Sequence, residues 1–239
     1  MSNNLSALDK EILQENFKSE DEYKKAVKRL SEGEPLAYII GKWYFYGEEY
    51  KVSPDCLIPR PETEHLVDEI IKTAPKNAFI ADLCTGSGCI VISALKHRPD
   101  LKAIAVDISK KALDLAQENA KSNGVFDRIK FICADILNED ALENNSFDII
   151  VSNPPYIARN VIPTLSNEVL CEPVIALDGG EDGLDFYRRI FEFYVSHVKA
   201  GGKIICEIGY DQADALRNAY GCKILKDYSG NDRIAILSL

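Results

Sequence analysis

The chain has 239 residues, 46% apolar and 28% charged, with a formal net charge of −10 and a pI near 4.9. That length supports one large domain, or one domain with a small addition. The acidic balance argues against a broad phosphate-binding surface and leaves room only for a local basic patch. The opening "MSNNLSALDKEILQEN" lacks the basic and apolar regions of a signal peptide, and no apolar run nears the roughly 20 residues of a membrane span, so a cytoplasmic chain is expected.

Leu5, Leu8, Ile12 and Leu13 recur at helical spacing, and Ser19 with Glu22 resembles a capping box that opens a second helix reaching about Leu30, where Gly33 stops it. From Tyr38 to Val52 the sequence "YIIGKWYFYGEEYKV" is aromatic and β-prone around Gly47, which predicts a hairpin. Three units are therefore expected: a short helical segment over 1–37, a β-hairpin connector over 38–54, and a main domain over 55–239.

Beyond residue 60 the pattern becomes regular. "RPETEHLVDEIIKTA" carries Pro61 in a first-turn position and Leu66, Val67, Ile70 and Ile71 on one face. Then follow strand "AFIADL", helix "CIVISALKHR", strand "KAIAVDI", helix "SKKALDLAQENAKSNG", and strands "IKFICAD" and "FDIIVSN". "LDFYRRIFEFYVSHVKA" reads as helix and "GGKIICEIG" as strand; a short helix and the β segments "CKILKDYS" and "RIAILSL" close the chain. Alternating helices and near-continuously apolar strands predict a doubly wound α/β sheet, and two closing strands without a helix between them predict an antiparallel hairpin at its edge.

Cys56, Cys84, Cys89, Cys133, Cys171, Cys206 and Cys222 form no C-x-x-C pair and no zinc spacing, so no metal site is expected. They read as structural thiols of a reducing compartment, Cys133 and Cys206 as small buried hydrophobes within strands. His65, His97 and His197 lack a nucleophile at motif spacing and are assigned to surface or helix packing.

"ADLCTGSGCIVI" places Asp82 and the loop Cys84-Thr85-Gly86-Ser87-Gly88 between the first parallel strand and its helix, where open α/β sheets bind ligands. A dinucleotide fingerprint requires another glycine where Val91 stands. Asp107, with Ile108 beside it, ends the second strand 19 residues after Gly88, where a carboxylate can accept from both ribose hydroxyls. Asp135, followed by Ile136, ends the third and could accept from an adenine amino group. A nucleoside read by acids and carrying no pyrophosphate fits S-adenosylmethionine, whose sulfonium sits more easily near Asp82 and Asp107 than a diphosphate would.

The fourth strand runs into Asn153-Pro154-Pro155-Tyr156, where two prolines end any ladder. Asn153 offers a side-chain oxygen and Pro154 a carbonyl, two acceptors suited to a planar NH₂ group, with Tyr156 able to pack on its face. An amide or aromatic amine is a poor nucleophile because its lone pair is conjugated. Positioning and electrostatics would then supply catalysis without a strong general base.

The chain resembles the HemK/PrmC release-factor glutamine methyltransferases. The match rests on "GEPLAYIIG", "LIPRPETE", "DLCTGSGC", "NPPY", "EPVIALDGGEDGLDFYRR" and "GNDR", and covers nearly everything after residue 33. "NPPY" alone is shared with DNA and RNA methyltransferases. The resemblance implies a seven-stranded class I methyltransferase sheet and methyl transfer from S-adenosylmethionine, leaving S-adenosylhomocysteine. The acceptor it implies is the glutamine of the Gly-Gly-Gln motif in class I peptide-chain release factors, without stable nucleic-acid or membrane binding. It implies that Asn153, Pro154, Pro155 and Tyr156 form the catalytic tip, and that Asp82, Cys84, Thr85, Gly86, Ser87, Gly88, Asp107, Ile108, Asp135, Ile136 and Asn153 hold the cofactor. Arg60, Pro61, Glu62, Thr63 and Glu64 match a segment that helps wall the active site. Two departures stand out: Cys84 occupies a position where many relatives carry a further loop glycine, so no left-handed residue is expected there, and only about two helices precede the hairpin where the family usually carries a longer helical domain. A nucleic-acid amino methyltransferase is the rival reading, and a catalytically silent cofactor-binding adaptor is a third.

Overall fold

Buried strands and amphipathic helices alternate through most of the computed structural model, which describes residues 6–143 and 145–239. Leu5 lies outside the described residues. Helix α1 (Ala7–Asn16) opens on Ser6, whose hydroxyl accepts from the Asp9 amide while the Asp9 carboxylate accepts from the Ser6 amide. Helix α2 (Glu20–Ser31) opens on Ser19, whose hydroxyl accepts from the Glu22 amide at 3.2 Å and donates to the Glu22 carboxylate at 2.8 Å.

The β-prone reading from Tyr38 starts too early. Residues 38–40 belong to a short third helix, α3 (Leu36–Ile40), which begins after Pro35 and ends at left-handed Gly41. The hairpin itself is β1 (Lys42–Phe45) and β2 (Glu48–Lys51), joined by Tyr46 and Gly47 with φ of 52° and 79°, the two-residue turn whose twist matches antiparallel strands. It packs on the main sheet's helices: the Tyr50 hydroxyl is 2.6 Å from Ser93 Oγ, and the Lys51 amide donates to Asn119 Oδ1 at 2.8 Å.

A 3-10 turn over Pro61–Thr63 leads into α4 (Glu64–Thr73). Then come β3 (Phe79–Leu83), α5 (Cys89–His97), β4 (Lys102–Asp107), α6 (Lys110–Ser122), β5 (Ile129–Cys133), β6 (Phe147–Ser152), α7 (Asp185–Glu192), β7 (Val198–Glu207), α8 (Ala213–Tyr220), β8 (Lys223–Lys226) and β9 (Asp232–Ser238). The predicted helix to residue 200 stops at Glu192; a 3-10 turn over Tyr194–His197 follows, and Val198 already pairs with Phe147 of β6. Pairing with a buried strand overrides the helical spacing of Tyr194, Val195 and Val198.

The sheet order is β5-β4-β3-β6-β7-β9-β8, parallel from β5 to β7 and antiparallel at β9 and β8. The order is that of a doubly wound, Rossmann-like α/β sheet, and the closing hairpin inserts β9 between β7 and β8. Successive strand residues feed opposite faces: Ile80 packs with α4 and α5, whereas Ala81 and Leu83 pack toward Tyr187 and Ile190 of α7 and Leu216 of α8. Cys206 is fully buried, but Cys133 is exposed, because it ends the edge strand β5. Among the described residues no helix is long and apolar enough to cross a membrane.

Candidate active site

The carboxyl ends of β3, β4 and β6 and the segment after β5 open into a cavity of about 500 Å³. One wall is the loop Cys84–Ser87 with Asp107, Ile108, Asp135 and Ile136. Asp107 is locked by its own neighbourhood: Oδ2 accepts from the Gly86 amide and Oδ1 from the Ser109 amide, both at 2.8 Å. Burial raises the Asp107 pKa, and the amides of Ser109, Gly86 and Ile108 pull it down. Asp135 is held similarly, Oδ1 by the Leu137 amide at 2.9 Å and Oδ2 by Asn138 Nδ2 at 2.6 Å. Each carboxylate oxygen keeps lone-pair capacity for a ligand hydroxyl or amino group. Acceptors at the ends of adjacent strands, with apolar Ile108 and Ile136 beside them and no basic residue in the loop, fit a ribonucleoside without pyrophosphate.

Two residues assigned to the cofactor do not line this cavity. Asp82 is wholly buried beneath the loop; Oδ2 accepts from the Thr85 hydroxyl at 2.6 Å, and Oδ1 has no partner among the described residues. Burial pushes its carboxyl up to about 7, against the Thr85 hydrogen bond. Asp82 therefore props the loop from below. Gly88 serves close packing at the start of α5, where a Cβ would stand 2.8 Å from Ile92 Cδ1 and 3.2 Å from Ala116 Cβ. The expectation at Cys84 is overturned: its φ is 59°, so the loop does require a left-handed residue there, and a non-glycine fills it. Its side chain packs on the cluster around Leu83 and Cys206.

The opposite wall carries Asn153, Pro155, Arg60 and Thr63. Pro154 is buried, and Tyr156 is half-buried against the α7 and α8 side of the core; neither lines the cavity. Pro61 and Glu62 are exposed outside it. Asn153 Nδ2 donates to Thr63 Oγ1 at 3.2 Å, and Thr63 Oγ1 donates to Glu207 Oε2 at 2.6 Å. Burial pushes Glu207 up to about 7, opposed by the Thr63 hydrogen bond and the charges of Arg233 and Arg60.

Distant segments brace this wall. Glu172 is buried; its Oε2 accepts from the Ile58 amide at 3.1 Å and its Oε1 pairs with the Arg60 guanidinium. Gln212 Nε2 donates to the carbonyls of Tyr156 and Gly183, each at 3.0 Å, while its Oε1 accepts from the Gly209 amide at 2.9 Å. The Gly179–Gly183 run presses its backbone on the tip: a Cβ on Gly183 would lie 2.4 Å from the Tyr156 carbonyl oxygen. Glu172, Glu207 and Gln212 had no assigned role in the sequence. For Glu207 a signal existed, an acid inside the apolar run "KIICEIG". None of the three histidines lines the cavity; His97 Nδ1 is 3.0 Å from the Ser93 carbonyl and His197 Nε2 is 2.8 Å from that of Glu143.

The Methyltransferase small domain family model matches residues 61–183, which include the Cys84–Ser87 loop, Asp107, Asp135, Thr63 and Asn153. Release factor glutamine methyltransferase from Koribacter versatilis is 39% identical, the alignment covering 90% of this chain and 78% of that protein. The protein of the same name from Streptococcus pneumoniae is 40% identical over 97% of this chain and 84% of its own length. The chain belongs to the release factor glutamine methyltransferase family. Solved structures share the fold: a methyltransferase from Pyrococcus furiosus superposes with a TM-score of 0.59 at 17% identity, covering 81% of this chain and 89% of that one. Ribosomal protein L11 methylase from Lactobacillus delbrueckii subsp. bulgaricus gives 0.52 at 24%, covering 75% and 80%. In this family member the segments "LIPRPETE" and "EPVIALDGGEDGL" meet through Glu172, which accepts from the Ile58 amide and pairs with Arg60.

Proposed function

We propose that this enzyme transfers a methyl group from S-adenosylmethionine to the side-chain amide nitrogen of the glutamine in the Gly-Gly-Gln motif of class I release factors, within this cavity. The observation that carries the reading is the placement of Asn153 in the same cavity as Asp107 and Asp135. S-adenosylmethionine supplies an electrophilic methyl carbon on a sulfonium, and displacement leaves a neutral thioether. Asp107 would hold the ribose and Asp135 the base, with Ile108 and Ile136 as apolar walls and Cys84–Ser87 bringing backbone close. Asn153 Oδ1, which comes from a residue lining the cavity, would accept an amide proton and aim the acceptor nitrogen at the methyl carbon; the Pro154 carbonyl, set behind that lining, is not needed for this contact. The nitrogen becomes acidic once alkylated, so its proton leaves to solvent without a dedicated base, in keeping with a cavity that no histidine lines. Tyr156 shapes this tip from behind through its carbonyl, which Gln212 holds. A release-factor substrate implies action in the cytoplasm and makes stable nucleic-acid binding unnecessary.

The test supplies methyl-labelled S-adenosylmethionine with a purified class I release factor, its Gln→Ala variant, and tRNA or rRNA. Label on the unaltered release factor alone is the expected outcome. Label on nucleic acid, or on none of them, contradicts it.

A further inference from the structure

We infer that Thr63 and Glu207 set the polarity of the Asn153 amide, holding its nitrogen inward and its Oδ1 toward the cavity so that it meets the substrate as a hydrogen-bond acceptor. This rests on the glutamine-amide reading above. A half-turn of an asparagine amide exchanges acceptor for donor at almost no change in shape. At Asn153 the wrong half-turn would set one NH₂ group against another and forfeit the grip on the acceptor.

The count of protons decides the orientation. A hydroxyl has one proton, and Thr63 Oγ1 lies 2.6 Å from Glu207 Oε2. Above about pH 7, where Glu207 is ionised, its carboxylate only accepts and that proton is committed to it; protonating Glu207 below that pH releases the Thr63 proton, so the relay is read at pH 8. The Thr63 oxygen then faces Asn153 at 3.2 Å with lone pairs alone, and only the amide nitrogen can bond to it. The order is Asn153 Nδ2–H to Thr63, then Thr63 Oγ1–H to Glu207. Thr63 and Glu207 are each 2% exposed, so bulk water does not compete for these bonds. Thr63 comes from the turn before α4 and Glu207 from the end of β7, 90 and 144 residues from their respective partners in the relay. Both are positioning residues, acting through Asn153.

The test compares Thr63→Val, Thr63→Ser and Glu207→Gln in the full chain, measuring kcat and KM for the release factor and the Kd of S-adenosylhomocysteine. Thr63→Val keeps the shape and removes the hydroxyl; kcat should fall on the order of 30-fold, with cofactor Kd within about twofold. Glu207→Gln introduces a group that can donate as well as accept, freeing Thr63 to turn its proton toward Asn153, and kcat should fall about tenfold. Thr63→Ser restores the relay and should stay within about threefold of the parent enzyme. Wild-type kcat in Thr63→Val overturns the inference, as does a Thr63→Ser variant as slow as Thr63→Val. Cofactor affinity lost in step with turnover also overturns it, because the pair would then support the cavity as a whole. A parent enzyme that leaves the release factor unlabelled defeats the glutamine reading itself, a separate result.

Discussion

The two walls of the cavity are built in opposite ways. On the cofactor side the hydrogen bonds that shape the site are short in sequence: Thr85 to Asp82 spans three residues, Ser109 to Asp107 two, Leu137 to Asp135 two, and Gly86 to Asp107 twenty-one. On the acceptor side the bonds span 90 residues from Thr63 to Asn153, 144 from Thr63 to Glu207, 114 from Ile58 to Glu172 and 56 from Gln212 to Tyr156. The first wall is assembled by three strand ends with their own turns. The second exists only when the turn before α4, the tip after β6, the glycine run and the end of β7 have all come together. A defect on the acceptor side should therefore abolish transfer while cofactor binding persists.

Asn153→Ala should break the comparison most sharply. Transfer should fall by at least about 10³-fold, because both the acceptor contact and the orientation of the amide are lost. Cofactor affinity, measured by calorimetry with S-adenosylhomocysteine, should change little; an equal loss of both would mean that the walls are not separable. Next comes Gly183→Ala, at a residue with φ of 78° whose new Cβ would meet the Tyr156 carbonyl at 2.4 Å. Displacing the tip should cost on the order of 10²-fold in kcat, again with cofactor binding kept. Full activity in that variant would show the tip to be tolerant of displacement.

The same contrast explains what could be read in advance. The strand-loop-helix run from Phe79 to His97 and the acids Asp107 and Asp135 follow from periodicity and strand ends, which local sequence encodes. Asn153 was legible because two prolines after a buried strand admit few alternatives. Glu207, Gln212 and the partnership of Glu172 with Ile58 and Arg60 were not, since their meaning lies in contacts across the fold. Asp82 was misplaced by one layer: its position at a strand end is local, but whether it points into the cavity depends on Thr85 folding over it. The boundary near Val198 failed for a related reason, because β6 decides where β7 begins.

Smaller effects sharpen the picture from the stability side. Asp82 and Glu207 are buried acids raised to about 7, so the folded state holds protons that the unfolded chain has released above its ordinary carboxylate range. Their contribution is fully present below about pH 4 and is lost as pH rises through 7, at about 1.4 kcal/mol per pH unit for each group. Asp82→Asn lacks its share of that slope, so its stability relative to the parent should improve by about 2 kcal/mol between pH 5 and pH 8 in denaturant titrations. Parallel pH profiles would mean that Asp82 is not held neutral. At Cys84, with φ of 59°, a β-branched Cys84→Val should cost about 2 kcal/mol, whereas Cys84→Gly should stay within about 1 kcal/mol of the parent. Equal losses would place the cost in packing and not in the backbone.

The most direct measurement is a crystal structure with S-adenosylhomocysteine and a peptide carrying Gly-Gly-Gln. The account predicts the glutamine amide donating to Asn153 Oδ1 at about 3 Å, with ribose hydroxyls on Asp107. A glutamine bound away from Asn153, or an asparagine turned to present its nitrogen, would contradict it.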